Sequence, residues 1–420
     1  MRDPEFRRLL YTRFAVQWAV GMYRAGLAGA VLFNPERETD PLAIAGGFAA
    51  LLLPYSLVGP FAGALLDRWD RRRVLMFANL LHAVAIVVSA ASVGFGASSV
   101  ALFALALCAE GISRFIGSGL SASLPHVVPD GAIVSANAFA TTLGSVVAVL
   151  GGGCAIGLRA LFGSDDAGSA ITTAFAALGV LLAAAIATRF ARGVLGPSIV
   201  DEPASAVLAV ARGLADGARA AVRAPSVTAG FIALFAHRAS FGASLLVTVL
   251  LMRNSFTDHG IFRAGLPGLG QMAALAGAGI LIAGLLTARF IAKFGRRKVV
   301  VGALILAALA QAGLGLPMEL PTVLLASFVI TGAGQMLKLG VDSSIQSDVG
   351  DESRGRVFAL YDTLFNITQV AAVSVAALVV PADGHSAGLL LAATAFYLLG
   401  AMGYLIAVRR TPFASASDPV

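Results

Sequence analysis

The sequence predicts an all-α integral membrane protein, with twelve transmembrane helices in two pseudo-symmetric six-helix bundles. Composition is the first reason. Of the 420 residues, 58% are hydrophobic and only 13% charged, where a soluble chain carries about 25% charged residues. The mean hydropathy is +0.85. Length is the second reason: the apolar residues collect in runs of about 20, enough for a helix to cross a bilayer. The third is a charged turn that occurs twice. Gly63 to Val74 reads G-A-L-L-D-R-W-D-R-R-R-V, and Ala288 to Val299 reads A-R-F-I-A-K-F-G-R-R-K-V. At one fixed offset Arg68 faces Lys293, Trp69 faces Phe294, and Arg71, Arg72 and Arg73 face Arg296, Arg297 and Lys298. A parallel repeat of two halves accounts for that correspondence.

Taken in order, the first span is expected over 9–33, after a charged start that does not read as a cleaved signal peptide. It carries Gln17 and Arg24. Span 2, 41–65, runs into the first charged turn, and span 3, 74–94, leaves it. Span 4, 98–122, holds Glu110 and Arg114 one turn apart. Span 5, 131–158, contains Gly144 and the run Gly151 to Gly153, read as close helix packing through small residues. Span 6, 168–189, closes the first bundle, residues 1–190. Residues 191–224 form the longest polar segment. Within it, Leu208, Leu214, Ala218 and Val222 oppose Arg212, Arg219 and Arg223, so Ser205 to Val222 is either a helix on the inner membrane surface or a flexible tether. The second bundle, 225–408, has spans over 226–251, 268–290, 298–316, 321–343, 357–380 and 386–408. Residues 409–420 are a tail.

Cationic residues orient the chain. With the N-terminus inside, the cytoplasmic segments hold Arg2, Arg7, Arg8 and Arg13, both charged turns, the arginines of 189–223, Arg354 and Arg356, and Arg409 and Arg410. The external loops hold Arg37, Arg159, Arg253 and Arg263. That bias places both termini in the cytoplasm of a cell membrane. The net charge of +7 then reflects loops beside an anionic lipid surface, not nucleic acid. Cys108 and Cys154, both within apolar runs, read as small buried hydrophobes with no disulfide or metal site between them.

Ionisable groups within spans are costly, about 2.5–3.5 kcal/mol at the helix centre, and mark cavities or partners. They recur at every third span: Gln17 and Arg24 in span 1, Glu110 and Arg114 in span 4, His237 and Arg238 in span 7, Lys338 and Asp342 in span 10. Glu110 sits near mid-span. Burial disfavours a charged carboxylate and a nearby cation favours it. That balance suits a coupling proton, with Arg114 shifting it; a permanent Glu110–Arg114 pair is the alternative. Arg24, Arg238 and Lys338 would make a cavity cationic, suited to an anionic substrate or a carboxylate of the protein; pairing with Glu110, with helix-end carbonyls or with water is the alternative. Lys338–Asp342 lies toward the cytoplasmic end, as an intrahelical pair or a gate.

Gly63, Asp67, Arg68, Arg71 and Arg72 resemble the signature that joins helices 2 and 3 in the major facilitator superfamily, with Asp70 where the family's turn glycine stands. The second copy has Ala288 and Ala292 in place of Gly63 and Asp67. Arg354-Gly355-Arg356-Val357-Phe358 and Leu360 resemble a segment of the bacterial drug and siderophore exporters of that superfamily. The resemblance implies the major facilitator fold, with spans 1, 4, 7 and 10 lining a central cavity. It also implies a cytoplasmic gate of Gly63, Asp67, Arg68, Arg71 and Arg72 with Lys293, Arg296, Arg297, Asp342, Arg354, Arg356 and Asp362. Exporters of this branch often carry an acid in the middle of helix 1. Gln17 to Arg24 offers none here, so proton coupling would have to use Glu110 or another group.

No phosphate-binding G-x-x-x-x-G-K-[ST] loop, metal-ligand cluster or nucleophile–histidine pair occurs in the sequence. An ATP-driven pump or an enzyme therefore lacks its machinery. The expectation is a monomeric secondary transporter, exporting a small amphipathic or drug-like compound against proton entry, with the proton as coupling ion and no cofactor. Uncoupled or anion-linked transport is the first alternative. A non-transporting membrane sensor or assembly partner is the second.

Overall fold

A computed structural model describes residues 3–32, 41–57, 69–129, 133–196 and 206–409. The first half contains α1 (Pro4–Leu32), α2 (Pro41–Leu57), α3 (Arg71–Gly94), α4 (Ser99–Ser123), α5 (Ile133–Phe162) and α6 (Asp166–Ala187). A separate helix, α7 (Ala206–Arg223), follows. The second half contains α8 (Pro225–Asn254), α9 (Gly265–Phe294), α10 (Arg296–Ala310), α11 (Leu320–Asp348), α12 (Asp351–Ala377) and α13 (Ala387–Arg409). A 3-10 turn (Leu124–His126) extends α4, and a π turn (Gln311–Gly315) extends α10. Ten of these helices are long and apolar enough to cross a membrane. Of the other expected spans, α1 carries Gln17 and Arg24, and α2 is described over 17 residues.

The two charged turns start their helices by different means. The Asp70 side chain accepts a hydrogen bond from the Arg72 backbone N–H at 3.0 Å, capping α3 and satisfying a donor that has no partner within the helix. Gly295 starts α10 with φ 82°, a conformation open to glycine without strain.

The chain divides into two compact units, Met1–Val210 with Ala264–Gly270, and Ala211–Arg263 with Gln271–Val420. In the first, α1 packs on α5 and α6, and α3 packs on α4 and α6. In the second, α8 packs on α12 and α13, and α10 packs on α11 and α13. Glycine brings the backbones together. A Cβ on Gly21 would lie 1.8 Å from the Ala148 carbonyl oxygen, and one on Gly151 2.2 Å from that of Trp18.

Within the segment between the halves, Ala206–Arg223 is helical, and this α7 rests on the second unit. Gly217 seats on the Arg356 carbonyl, Asp216 pairs with Arg356 at 3.2 Å, and Ala221 joins the core. The second unit therefore begins at Ala211, inside the segment expected as a linker. Cys108 and Cys154 are exposed, not buried. On a membrane helix an apolar residue is stable facing outward, because the surrounding hydrocarbon is as apolar as the core.

Candidate functional site

Glu110 on α4 is 2% exposed, and its carboxylate is gripped by Arg24 of α1. Arg24 Nε donates to Oε1 at 2.8 Å and Nη2 donates to Oε2 at 2.6 Å. The sequence offers two partners for Glu110, Arg114 one turn along the same helix and, as an alternative to a cationic cavity, Arg24. The partner found is a guanidinium on a facing helix, which presents its planar fork to both oxygens at once. Ions withdrawn from water cost several kcal/mol each unless geometry and hydrogen bonding compensate, and this two-pronged contact supplies both. Arg24 keeps 37% of its side chain exposed, so the pair has one buried end and one accessible end.

Two neighbours surround the pair that sequence reasoning missed. His82 of α3 is 1% exposed and lies in the fields of both Glu110 and Arg24. Its Nδ1 has no hydrogen-bond partner among the described residues. Tyr23, fully buried beside Arg24 in sequence, donates its hydroxyl to Ser89 Oγ at 3.1 Å. A single histidine in an apolar span gives no periodic signal. The i, i+7 spacing that puts His82 and Ser89 on one face of α3 is the signal that could have found them.

In the second unit the expected cavity residues separate. His237 is 3% exposed and packs inward: its Nε2 meets the Ile330 carbonyl at 3.3 Å, and its ring lies against Phe241 and Tyr397. It is a core residue in this arrangement, because one step along a helix turns a side chain by about 100° from its neighbour. Arg238 points elsewhere. Its guanidinium lies 3.3 Å from the Phe365 ring centroid, and Nη1 donates to Gln369 Oε1 at 2.8 Å. Lys338 pairs with Asp342 at 2.7 Å and sits 5.5 Å from the Tyr361 ring. Tyr361, Phe365 and Gln369 thus form an i, i+4, i+8 stripe on α12, a spacing legible in the sequence but not singled out. Gln17 of α1 packs against Gly144.

The expected gate residues hold contacts within their own units. Arg71, 6% exposed, donates to the carbonyls of Ala122 at 2.8 Å and Leu195 at 3.3 Å. Arg72 donates to the Thr188 carbonyl at 2.8 Å. Both serve C-terminal ends of helices, where carbonyls lack partners and cations are favoured. In the second unit Arg296 reaches Ser347 at 2.9 Å and Asp348 at 2.8 Å. Lys293 is exposed beside Phe294, and Arg297 is half-buried. Arg354 donates to the Val349 carbonyl at 3.2 Å, Arg356 pairs with Asp216, and the Asp362 carbonyl accepts from Asn366 at 2.8 Å. Gly63, Asp67 and Arg68 lie outside the described residues.

Two units of membrane-length helices, with ionisable groups on the first and fourth helices of each, make a polytopic helical protein. Residues 230–419 match the family model described as Major Facilitator Superfamily. MFS-type transporters of Mycobacterium tuberculosis and Mycobacterium bovis are each 43% identical over 413 residues, 97% of this chain and 92% of theirs. The chain belongs to the major facilitator superfamily and is a membrane transporter, not an enzyme. Among solved structures, a variant of the nucleoside transporter NupG has a TM-score of 0.74 at 12% identity, covering 96% of this chain and 99% of its own. A variant of the peptide transporter POT has a TM-score of 0.73 at 14% identity, covering 97% and 95%. At such identity the likeness is one of fold.

Proposed function

We propose that this transporter is a proton-coupled exporter of small amphipathic compounds, working by alternating access in the cell membrane with both termini cytoplasmic. The observation that carries the reading is the Arg24–Glu110 fork, a buried carboxylate whose partner is partly exposed. Ionised, Glu110 ties α4 to α1. A proton entering on its carboxyl removes the negative charge that holds the fork, and the Arg24 guanidinium turns toward cavity water or a bound compound. Loss of the proton restores the grip. The pair thereby has two discrete states, and a compound that binds one of them better shifts the equilibrium. Residues 1–190 and 225–408 are the bodies that rock in this scheme, as a monomer and with no cofactor besides the proton.

A second reading, anion-linked transport without proton coupling, draws on Arg238, which lies against the Phe365 ring and the neutral amide of Gln369. The test uses proteoliposomes with a pH-sensitive dye inside and gradients of cationic, neutral and anionic amphiphiles. Compound-dependent proton flux that disappears in Glu110→Gln is expected. Compound movement without proton flux selects the second reading. Absence of movement for every compound, with folded protein, points to a sensor or assembly role.

A further inference from the structure

The helix α7 has two unlike faces. Arg212, Arg219 and Arg223, spaced i, i+7 and i+11, share one face, and all three are exposed. Ala218 and Val222 lie on the other, where α7, α8 and α12 enclose a groove of about 570 Å³ on the second unit. Its wall is apolar and open: Val222 is 73% exposed and Phe235 57%, with Leu364 facing them from α12. Its threonines, Thr228 and Thr368, donate to the carbonyls of Ala221 at 2.9 Å and Leu364 at 2.7 Å, so neither is left for a polar ligand. From Leu360 to Thr368 the groove follows α12 for about 12 Å, close to the roughly 15 Å of hydrocarbon in one leaflet.

Positive charge collects at one end of this groove. Asp216, the one acid of α7, is shared between Arg219 at 2.7 Å and Arg356 at 3.2 Å. Arg212 and Arg223 form no ion pair among the described residues. Arg219 and Arg223 directly follow the lining residues Ala218 and Val222, and Arg356 stands one turn before Leu360 on α12. Hydrocarbon covers any apolar flank of a membrane helix. Here the apolar wall ends at a surplus of guanidinium groups, and an acyl chain joined to an anion satisfies both.

We infer that the groove between α7, α8 and α12 binds an anionic phospholipid, its acyl chain along Phe235 and Leu364 and its phosphate against Arg219 and Arg223. Native mass spectrometry of the delipidated full-length protein in detergent, titrated with phosphatidylglycerol or phosphatidylcholine of the same chains, is the test. The wild type should retain its first phosphatidylglycerol at least about fivefold more tightly than phosphatidylcholine. Arg219→Gln combined with Arg223→Gln should abolish that preference. Arg189→Gln combined with Arg192→Gln, two exposed arginines of the first unit, should keep it. Ala218→Trp fills the groove and should weaken both lipids. Glycerol phosphate, a headgroup without chains, should displace neither. Every variant must first give the wild-type size-exclusion profile. Equal retention of the two lipids by the wild type overturns the site, as does a preference that survives in folded Arg219→Gln with Arg223→Gln. Unchanged affinity in folded Ala218→Trp places the lipid elsewhere and also overturns it. Displacement by glycerol phosphate would assign the arginines to a free phosphate, and a dimer that Ala218→Trp dissolves would give the groove to a second copy; either result contradicts the lipid.

Discussion

In the first unit a guanidinium closes on a buried carboxylate; on the equivalent helix of the second unit a guanidinium lies on a phenyl ring. The scaffolds beneath these two arrangements correspond residue by residue. Gly21 against the Ala148 carbonyl and Gly242 against the Gln369 carbonyl, Gly179 against Ala15 and Gly400 against Ala236, Gln17 against Gly144 and Arg238 against Phe365 are all related by one residue offset. At that same offset Leu245 stands for Arg24 and Thr331 for Glu110, and the Thr331 hydroxyl donates to the Ala276 and Ser327 carbonyls. The repeat has therefore kept the backbone crossings and changed the side chains between them. Small residues fix where helices meet. The charge chemistry is free to differ, so each unit can serve a different end. In this account the first unit exchanges protons and the second carries a lipid on its flank.

The largest effect expected from breaking the comparison is at the shared glycines. Gly21→Ala drives a Cβ to 1.8 Å from a carbonyl oxygen, and Gly242→Ala to 2.9 Å. Overpacking costs about 1–3 kcal/mol where neighbours can shift. Gly242→Ala should fall in that range and Gly21→Ala above it, read as thermal unfolding by size-exclusion in detergent. Equal losses would mean that the two crossings are equally tight, against this geometry. Next is the ion pair. Arg24→Leu leaves a buried carboxylate without its partner, while Glu110→Gln leaves a guanidinium that can turn to water. The first should therefore be the more destabilising, and the double variant should recover about 0.5–3 kcal/mol of coupling.

Smaller effects separate the two charged turns. Arg71→Gln removes hydrogen bonds from a buried cation to the carbonyls of Ala122 and Leu195, worth about 1.5–3 kcal/mol each when the donor is charged. Arg296→Gln breaks a pair that is 28% and 32% exposed, worth about 0–1 kcal/mol. The Arg296 contribution should shrink further in high salt and the Arg71 contribution should not, a difference that urea titrations at two ionic strengths would read.

Much of the fold was legible because bilayer thickness imposes one helix length. The apolar runs that placed spans 3, 4, 6 and 10 meet the observed helices within a few residues, and the recurrence of ionisable groups at every third span pointed to α1, α4, α8 and α11. The site was legible only in part. Glu110 stood out by its cost in an apolar run, but its partner lies 86 residues away along the chain, and helical periodicity reports only neighbours three or four residues apart. Periodicity singled out Arg114 on the same helix, and Arg24 stood only as one alternative among several. Arg71 and Arg296 read alike from sequence, since positive-inside bias, gating and helix-end binding all ask for the same residue type. His237 and Arg238 are adjacent in sequence and differ in fate, because the turn of the helix sends one into the core and the other onto Phe365.

Proton exchange at Glu110 is checked most sharply by an infrared difference spectrum of the purified protein between neutral and acidic pH, wild type against Glu110→Gln. If Glu110 takes the coupling proton and releases Arg24, acidification should raise a protonated-carboxyl band that is missing in the variant, with a matching change in the guanidinium bands. The same carboxyl band in both proteins would contradict proton exchange there and leave Arg24–Glu110 as a fixed structural tie.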